Sequence, residues 1–268
     1  MNYFNLLKIL GSIGKSAQKP RGRDGAMPLI EHLTALRKVL IISAYGIAIG
    51  TVLGWLFADP VFAYLAEPVA SLKQVNFITT TPMEPVLVKL KVSLVIGVAV
   101  ALPVIMWQVW SFVLPALKQK ERKYLYIIVP SSLVLFLAGA AFCFYLVLPM
   151  GIKFLLFAGG GAVHSTPFVT KSSYLSFIIT FLVVFGLVFQ LPILLLILIR
   201  IGLLSPRILA RKRRWALLCI IIVSAIVAPS PDLLTQGLMA APMYFLYEVS
   251  IWLGYIVVRR RKIQSATV

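Results

Sequence analysis

The chain has 268 residues, of which 60% are apolar and only 13% are charged. A soluble domain is nearer half apolar and about a quarter charged, so this composition excludes an ordinary water-soluble fold. The formal net charge of +18 would suit a nucleic-acid-binding protein, but the basic residues lie at the ends of apolar runs and show no nucleic-acid-binding signature, so we expect no nucleic-acid partner.

The N-terminal segment differs from the rest of the chain. Residues 1–26 combine a short apolar stretch with a stretch rich in Gly, Lys and Arg, which predicts a disordered or membrane-surface extension. We therefore divide the chain into an extension at 1–26, a membrane domain at 27–258 and a basic cytoplasmic tail at 259–268. Met27 is an alternative start.

Apolar runs in the membrane domain predict six transmembrane helices. We place them at about 39–57, 88–113, 124–148, 174–199, 215–227 and 234–258. The fifth run would be only about 20 Å long as a helix, which is short for a bilayer.

Prolines should break the connection at 59–91 into short pieces, and Pro103, Pro130, Pro149 and Pro192 should kink or end helices. The fold class is therefore an all-α, polytopic membrane protein.

The distribution of Lys and Arg predicts the orientation of these helices. Of the 26 basic residues, seven lie before the first predicted span, four in the loop at 118–123, six in the loop at 200–214 and four in the tail. The other connections hold five. Because cytoplasmic loops carry an excess of Lys and Arg, we expect both termini in the cytoplasm.

Residues suited to covalent chemistry are scarce. The only histidines, His32 and His164, lie in connections on opposite sides of the predicted membrane, and no serine has a visible base partner. The sequence has no P-loop, no HExxH and no GxSxG motif. We expect no enzyme activity, no cofactor and no metal site.

Polar residues near or within the spans are the candidate functional residues. Glu121 is a single acid among four cations, and is either surface decoration or a receptor for a positively charged guest. Gln190 and Glu248 lie inside apolar runs, where a polar group either bonds a neighbouring helix or meets a partner helix; Glu248 must be protonated, paired or hydrated. Asp232 and Gln236 start the last span, where helix capping alone would explain Asp232.

Six segments, taken in order, carry a family resemblance. They are HLTALRK at 32–38, PVIMWQVWSFVLPALKQKER at 103–122, SYLSF at 173–177, FGLVFQLPI at 185–193, PSPDLLTQ at 229–236 and APMYFLYE at 241–248. From about residue 28 to 259 the chain resembles TatC, the receptor subunit of the twin-arginine protein translocase. The resemblance implies a cupped six-helix bundle in the bacterial inner membrane that binds twin-arginine signal peptides of folded cargo. It also implies an oligomeric complex with TatA- and TatB-like single-span subunits, driven by the proton gradient.

Site residues follow from the same resemblance. Arg37 matches the family's N-terminal arginine, and Phe112, Pro115, Glu121 and Arg122 match its first-loop motif. Gln190 matches a polar position of the fourth helix, often Glu, that faces the cup and the single-span partners. Asp232 and Gln236 match positions at the outer end of the last hairpin, and we expect Glu248 to contribute to the same partner contact.

The chain differs from the family's pattern at one position. The family usually has an acid two residues before Arg37, and this chain has Ala35 there. Glu31 lies one helical turn earlier and would share a helix face with position 35, so we expect Glu31 to supply the second carboxylate for two guanidinium groups. Two other functions remain as alternatives. They are a small-solute secondary transporter, for which no internal repeat is seen, and a diverged assembly factor that lacks selective signal binding.

Overall fold

A computed structural model describes residues 29–70, 76–113, 125–157, 168–228 and 232–266, which are mostly helical. The helices are α1 (Leu29–Gly54), α2 (Ala58–Ala70), α3 (Glu84–Val113), α4 (Leu125–Phe142), α5 (Leu148–Phe157), α6 (Lys171–Val188), α7 (Leu191–Arg200), α8 (Pro206–Arg211), α9 (Arg213–Val227) and α10 (Leu233–Ala266). Two short strands, β1 (Asn76–Ile78) and β2 (Phe168–Thr170), pair in parallel.

The chain divides into two compact units, Met1–Lys38 and Val39–Val268. The first unit is described only from Leu29, where its residues form the first turns of α1. The second unit contains the remaining helices and both strands.

Five stretches of the described residues are long and apolar enough to cross a membrane. They are Leu33–Val69, Glu84–Phe112, Tyr126–Leu155, Lys171–Arg200 and Thr235–Arg259. The remaining apolar helix, α9, has 15 residues and is about 22 Å long. The predictions of a six-span, all-α membrane protein and of a short fifth span are therefore confirmed.

The first span differs from its predicted boundary. The helical chain does not end near Phe57, because a 3₁₀ turn at Trp55–Phe57 leads directly into α2. Pro60 lies in the first turn of α2, where a backbone N–H has no partner within the helix, so proline is tolerated there. Pro68 lies further inside the same helix. The proline-rich connection therefore begins as helix, and β1 is its first extended segment among the described residues.

Two of the four span prolines interrupt helices as predicted. Pro192 follows the turn that separates α6 from α7, since its ring would clash with the carbonyl of Val188 in a continuous helix. Pro149 follows a π-helical segment, Cys143–Val147, in which the Leu148 N–H donates to the carbonyl five residues earlier. In contrast, α3 and α4 continue through Pro103 and Pro130.

The helix α6 is the central packing element of the second unit. Leu175, Ile178, Phe181 and Phe185 on this helix are among the most completely buried large side chains. They belong to a cluster that also takes residues from α2, α3, α5 and α10. A second cluster joins α7, α8, α9 and α10, and a third joins the ends of α3 and α4 to α7.

Glycines allow close approach of neighbouring helices. A Cβ atom on Gly50 would lie 2.8 Å from the Gly97 carbonyl oxygen, so α1 and α3 meet backbone to backbone. On α6, a Cβ atom on Gly186 would overlap the ring of Phe136 from α4. Small residues at such crossings are the usual means by which helices associate in lipid, where van der Waals packing replaces the hydrophobic effect.

We expect Gly97→Ala to destabilise the protein by about 1–3 kcal/mol, because the added methyl group would overlap the backbone and side chain of Thr51. Thermal unfolding of the purified protein in detergent would measure the change. Gly237→Ala in α10 is the control, since nothing lies within 4 Å of its added Cβ. Equal unfolding temperatures for the two variants would contradict the close approach of α1 and α3.

Candidate functional site

Several of the residues predicted to bind a signal peptide lie outside the described part of the chain. Pro115, Glu121 and Arg122 fall between α3 and α4, in residues 114–124, and the side chain of Glu31 is also outside it. Arg37 lies on α1 and is exposed, and Phe112 is half-buried in the last turn of α3.

Aromatic residues hold the two helix ends on either side of residues 114–124. Trp107 of α3 meets Tyr126 of α4 edge to face, with ring centroids 5.7 Å apart. Trp110 is only 4% exposed and packs in a cluster with Met106 and Val129. Its indole N–H has no hydrogen-bond partner among the described residues. The helix ends that carry this segment are therefore fixed by packing.

Gln190 lies in the turn between α6 and α7. Its Nε2 atom donates to the Ser132 carbonyl of α4 at 3.0 Å. Its Oε1 atom is buried and has no partner within the described ranges. The helix-to-helix hydrogen bond expected as one alternative is therefore present, and the amide oxygen keeps its capacity to accept a bond from a polar donor.

The start of α10 is organised by two of the predicted residues. Asp232 caps the helix, since its Oδ2 atom accepts a bond from the Thr235 N–H at 2.6 Å. One turn later, the Nε2 atom of Gln236 donates to the Ile221 carbonyl of α9 at 3.1 Å. Asp232 thus acts as a helix cap, and Gln236 fastens the middle of α9 to α10.

Glu248 is paired, which decides between the three states considered for it. Its Oε1 atom lies 2.8 Å from Nε of Arg213, and its Oε2 atom accepts a bond from the Arg213 Nη2 at 2.8 Å. The Tyr244 hydroxyl donates to the same carboxylate at 3.0 Å. This two-point pair joins the first residue of α9 to α10.

These contacts show that α10 does not gather its polar residues into one site. Gln236 and Glu248 are twelve positions apart and hence about 18 Å apart along the helix. Each bonds to a different part of α9, Gln236 to the Ile221 carbonyl near its middle and Glu248 to its first residue. The short fifth span is therefore held to the sixth at its start and near its middle.

Glu84 is a buried acid that the sequence did not single out. Its Oε2 atom accepts bonds from the N–H and hydroxyl of Thr80, at 2.7 and 3.1 Å. Its Oε1 atom accepts the N–H of Ser172, in the first turn of α6, at 2.9 Å. One carboxylate thus joins the turn before α3 to the start of α6. An acid at the first position of an apolar run was the signal available in the sequence.

Lys91 and the two strands reinforce the same region. The Lys91 ammonium donates to the hydroxyl oxygens of Ser172 and Ser176, at 2.9 and 2.7 Å. Strands β1 and β2 pair beside it, from Asn76–Phe168 to Ile78–Thr170. We call this region, formed by β1, β2 and the first turns of α3 and α6, the strand end.

No group of three or more His, Cys, Asp or Glu residues in the described ranges could hold a metal ion. Most of the described acids bond instead to backbone groups, to hydroxyl groups, to Arg213 and to Lys89. This chemistry orders helices and offers hydrogen bonds, and it does not suggest a catalytic centre among these residues.

Comparison with known proteins relates the chain to a single family. The family model described as "Sec-independent protein translocase protein (TatC)" matches residues 31–242. The protein of that name from Carboxydothermus hydrogenoformans is 42% identical over 232 residues, which are 86% of this chain and 94% of the relative. The protein from Aquifex aeolicus is 40% identical over 242 residues, which are 90% of this chain and 100% of the relative.

Solved structures agree with these relatives. A crystal structure titled as the twin arginine translocase receptor TatC in DDM has a TM-score of 0.76 and 40% sequence identity. The match covers 83% of this chain and 99% of that chain.

We expect Glu84→Gln to lower the unfolding temperature, because a neutral amide accepts weaker bonds from the Thr80 and Ser172 N–H groups than a carboxylate does. Thermal unfolding in detergent would measure the loss. Glu67→Gln, at an exposed acid of α2, removes the same charge and should leave the temperature unchanged. Equal losses would show that the charge itself matters and not the bonds of Glu84.

A double-mutant cycle of Arg213→Gln and Glu248→Gln should give a coupling free energy of about 1 kcal/mol, since the pair is bidentate but partly exposed. The free energy of unfolding in detergent is the measurement for all four proteins. Arg214→Gln is the matched control, because Arg214 is exposed beside Arg213. Additive effects of Arg213→Gln and Glu248→Gln would refute the pairing.

Proposed function

Since the chain belongs to the TatC family of Sec-independent protein translocases, and is a component of a twin-arginine translocase, we propose that it is the subunit that binds twin-arginine signal peptides. The observation that carries this proposal is its likeness, along most of both chains, to a solved twin-arginine translocase receptor. The composition and helices support a multi-pass membrane protein.

Binding rests on the segment between α3 and α4. The Glu121 carboxylate takes a guanidinium group of the signal in a two-point pair, and Glu31 supplies the second carboxylate in place of Ala35. Phe112 offers an apolar contact for the hydrophobic residues after the arginines. Arg37, Pro115 and Arg122 complete the binding surface. The packed aromatic ends of α3 and α4 support this assignment, since they give the loop two fixed attachments.

Contact with TatA- and TatB-like single-span subunits is assigned to Gln190 and to the start of α10. The Gln190 Oε1 atom, buried and without a partner among the described residues, can accept a bond from a polar residue of a partner helix. Gln236 is half-buried and bonds the Ile221 carbonyl of α9. Asp232 and Glu248 act indirectly, because one caps α10 and the other holds α9 through Arg213.

The protein resides in the bacterial inner membrane with both termini in the cytoplasm. The excess of Lys and Arg in the tail and in the loops at 118–123 and 200–214 supports this orientation. Export of folded cargo draws on the proton gradient, as the resemblance to the family implies. A second candidate function is an assembly factor without selective signal binding. It is favoured by Ala35, which stands where the family usually has an acid.

We expect a twin-arginine signal peptide to bind the purified protein in nanodiscs about tenfold or more tightly than its twin-lysine version, because guanidinium groups form two-point bonds with carboxylates. Fluorescence anisotropy of labelled peptides would measure both affinities. Glu121→Ala should abolish the preference. Glu67→Ala, which removes an exposed acid of α2, should keep it. Equal binding of the two peptides to the wild-type protein would favour the assembly factor.

The same assay separates the roles of positions 31 and 35. Glu31→Ala should weaken arginine-selective binding, and Ala35→Glu in that variant should restore it, because both positions lie on one face of α1. Unchanged binding in Glu31→Ala would exclude Glu31 as the second carboxylate while leaving the role of Glu121 intact.

A further inference from the structure

A cavity of 280 Å³ lies between α4, α7 and α10, and none of its lining residues is assigned a role above. Its wall is apolar over most of its length, with Ile127 and Ile128 from α4, Ile193 and Ile197 from α7, and Val257 from α10. A cavity of this volume equals about nine water molecules and would hold part of a hydrocarbon chain.

Arg200 gives this cavity a polar terminus. It lines the cavity as the last residue of α7 and is half-buried. Seven positions separate it from Ile193, so the lining extends about 10 Å along α7 from an apolar beginning to a guanidinium end. The Ser131 side chain is the other polar group of the lining.

Positive charge continues beyond the cavity. On α10, Val257 is followed within two residues by Arg259, and the helix continues through the basic residues of the tail. On the other side, α8 and the start of α9 carry Arg207 and Arg211, followed by Lys212. Arg200 is thus the cation among the lining residues, and the segments that follow α7 and Val257 in the sequence are rich in basic residues.

The chemistry of the cavity selects one class of occupant. An apolar channel that ends at a guanidinium group inside a basic surface suits a molecule with a hydrocarbon chain and an anionic head. A signal peptide fits poorly, because a helix is about 10 Å wide and the arginines of the peptide would be repelled by Arg200. In a membrane protein, the molecule with that chemistry at hand is an anionic phospholipid.

We propose that this cavity binds one acyl chain of an anionic phospholipid, whose phosphate pairs with Arg200. The lipid comes from the leaflet next to the loops at 118–123 and 200–214. Its chain packs against α4, α7 and α10 together, so it links the end of the interrupted fourth span to the third and sixth spans. This binding is separate from signal recognition and does not depend on it.

Native mass spectrometry of the full chain in detergent, with equal amounts of phosphatidylglycerol and phosphatidylcholine of the same acyl chains, tests the proposal. The wild-type protein should retain phosphatidylglycerol preferentially. Arg200→Gln should lower that retention about fivefold, as expected for one arginine near an anionic headgroup. Arg200→Lys should keep most of it, and Ile193→Trp should lower retention of phosphatidylglycerol by filling the apolar part.

Lys153→Gln is the matched control, because it removes one positive charge from an exposed lysine of α5, outside the cavity lining and outside the basic segments named above. It should leave the lipid preference unchanged. Equal retention of the two lipids by the wild-type protein would overturn the proposal, as would an equal loss in Lys153→Gln, or full retention in Ile193→Trp. If Arg200→Gln fails to fold, the Arg200→Lys and Ile193→Trp proteins still decide the outcome.

Discussion

Lipid offers no hydrogen-bond partners, so the polar groups of a membrane protein tend to bond within the protein, and this constraint accounts for the main polar contacts. Glu84 holds the strand end through the N–H groups of Thr80 and Ser172. Glu248 holds α9 to α10 through Arg213. Gln190 joins the α6–α7 turn to α4. In each contact one partner lies at a helix start or a helix break, and the Ser172 N–H is a first-turn donor that has no partner within its own helix.

The helix break in the fourth span and the contacts of the short fifth span both fix the positions of polar side chains. Pro192 interrupts the fourth span and leaves Gln190 in a turn, with its amide oxygen buried and free to accept a bond within the described residues. The short α9 is held to α10 at its first residue through Glu248 and near its middle through Gln236. The polar residues proposed to contact partner helices are thus fixed by bonds to neighbouring helices, and a fixed side chain makes a more precise contact than a mobile one.

The sequence alone was sufficient to predict the elements that depend on local patterns of residues. Apolar run length predicted the six spans, the short α9 was visible as a short run, and Asp232 was correctly considered as a cap. The long-range pairs were not predictable. Glu84 and Ser172 are 88 residues apart, and Arg213 and Glu248 are 35 apart. Nothing local distinguishes a paired acid from a hydrated one, so the structural role of Glu84 was missed and Glu248 stayed undecided among three states.

The small number of acidic residues limits which carboxylates could bind the arginines of a signal peptide. The chain has only eight acidic residues. Four are engaged in described contacts: Asp59 with Lys89, Glu84 with Thr80 and Ser172, Asp232 with Thr235, and Glu248 with Arg213. Glu67 is exposed on α2, the helix whose Leu65 carbonyl is bonded by Tyr174 at the start of α6. Asp24, Glu31, Glu67 and Glu121 are therefore the acids for which no hydrogen bond or ion pair is described. The two carboxylates proposed above to bind the guanidinium groups of a signal peptide, Glu31 and Glu121, belong to this group, so the proposed binding breaks none of the described contacts of the other acids.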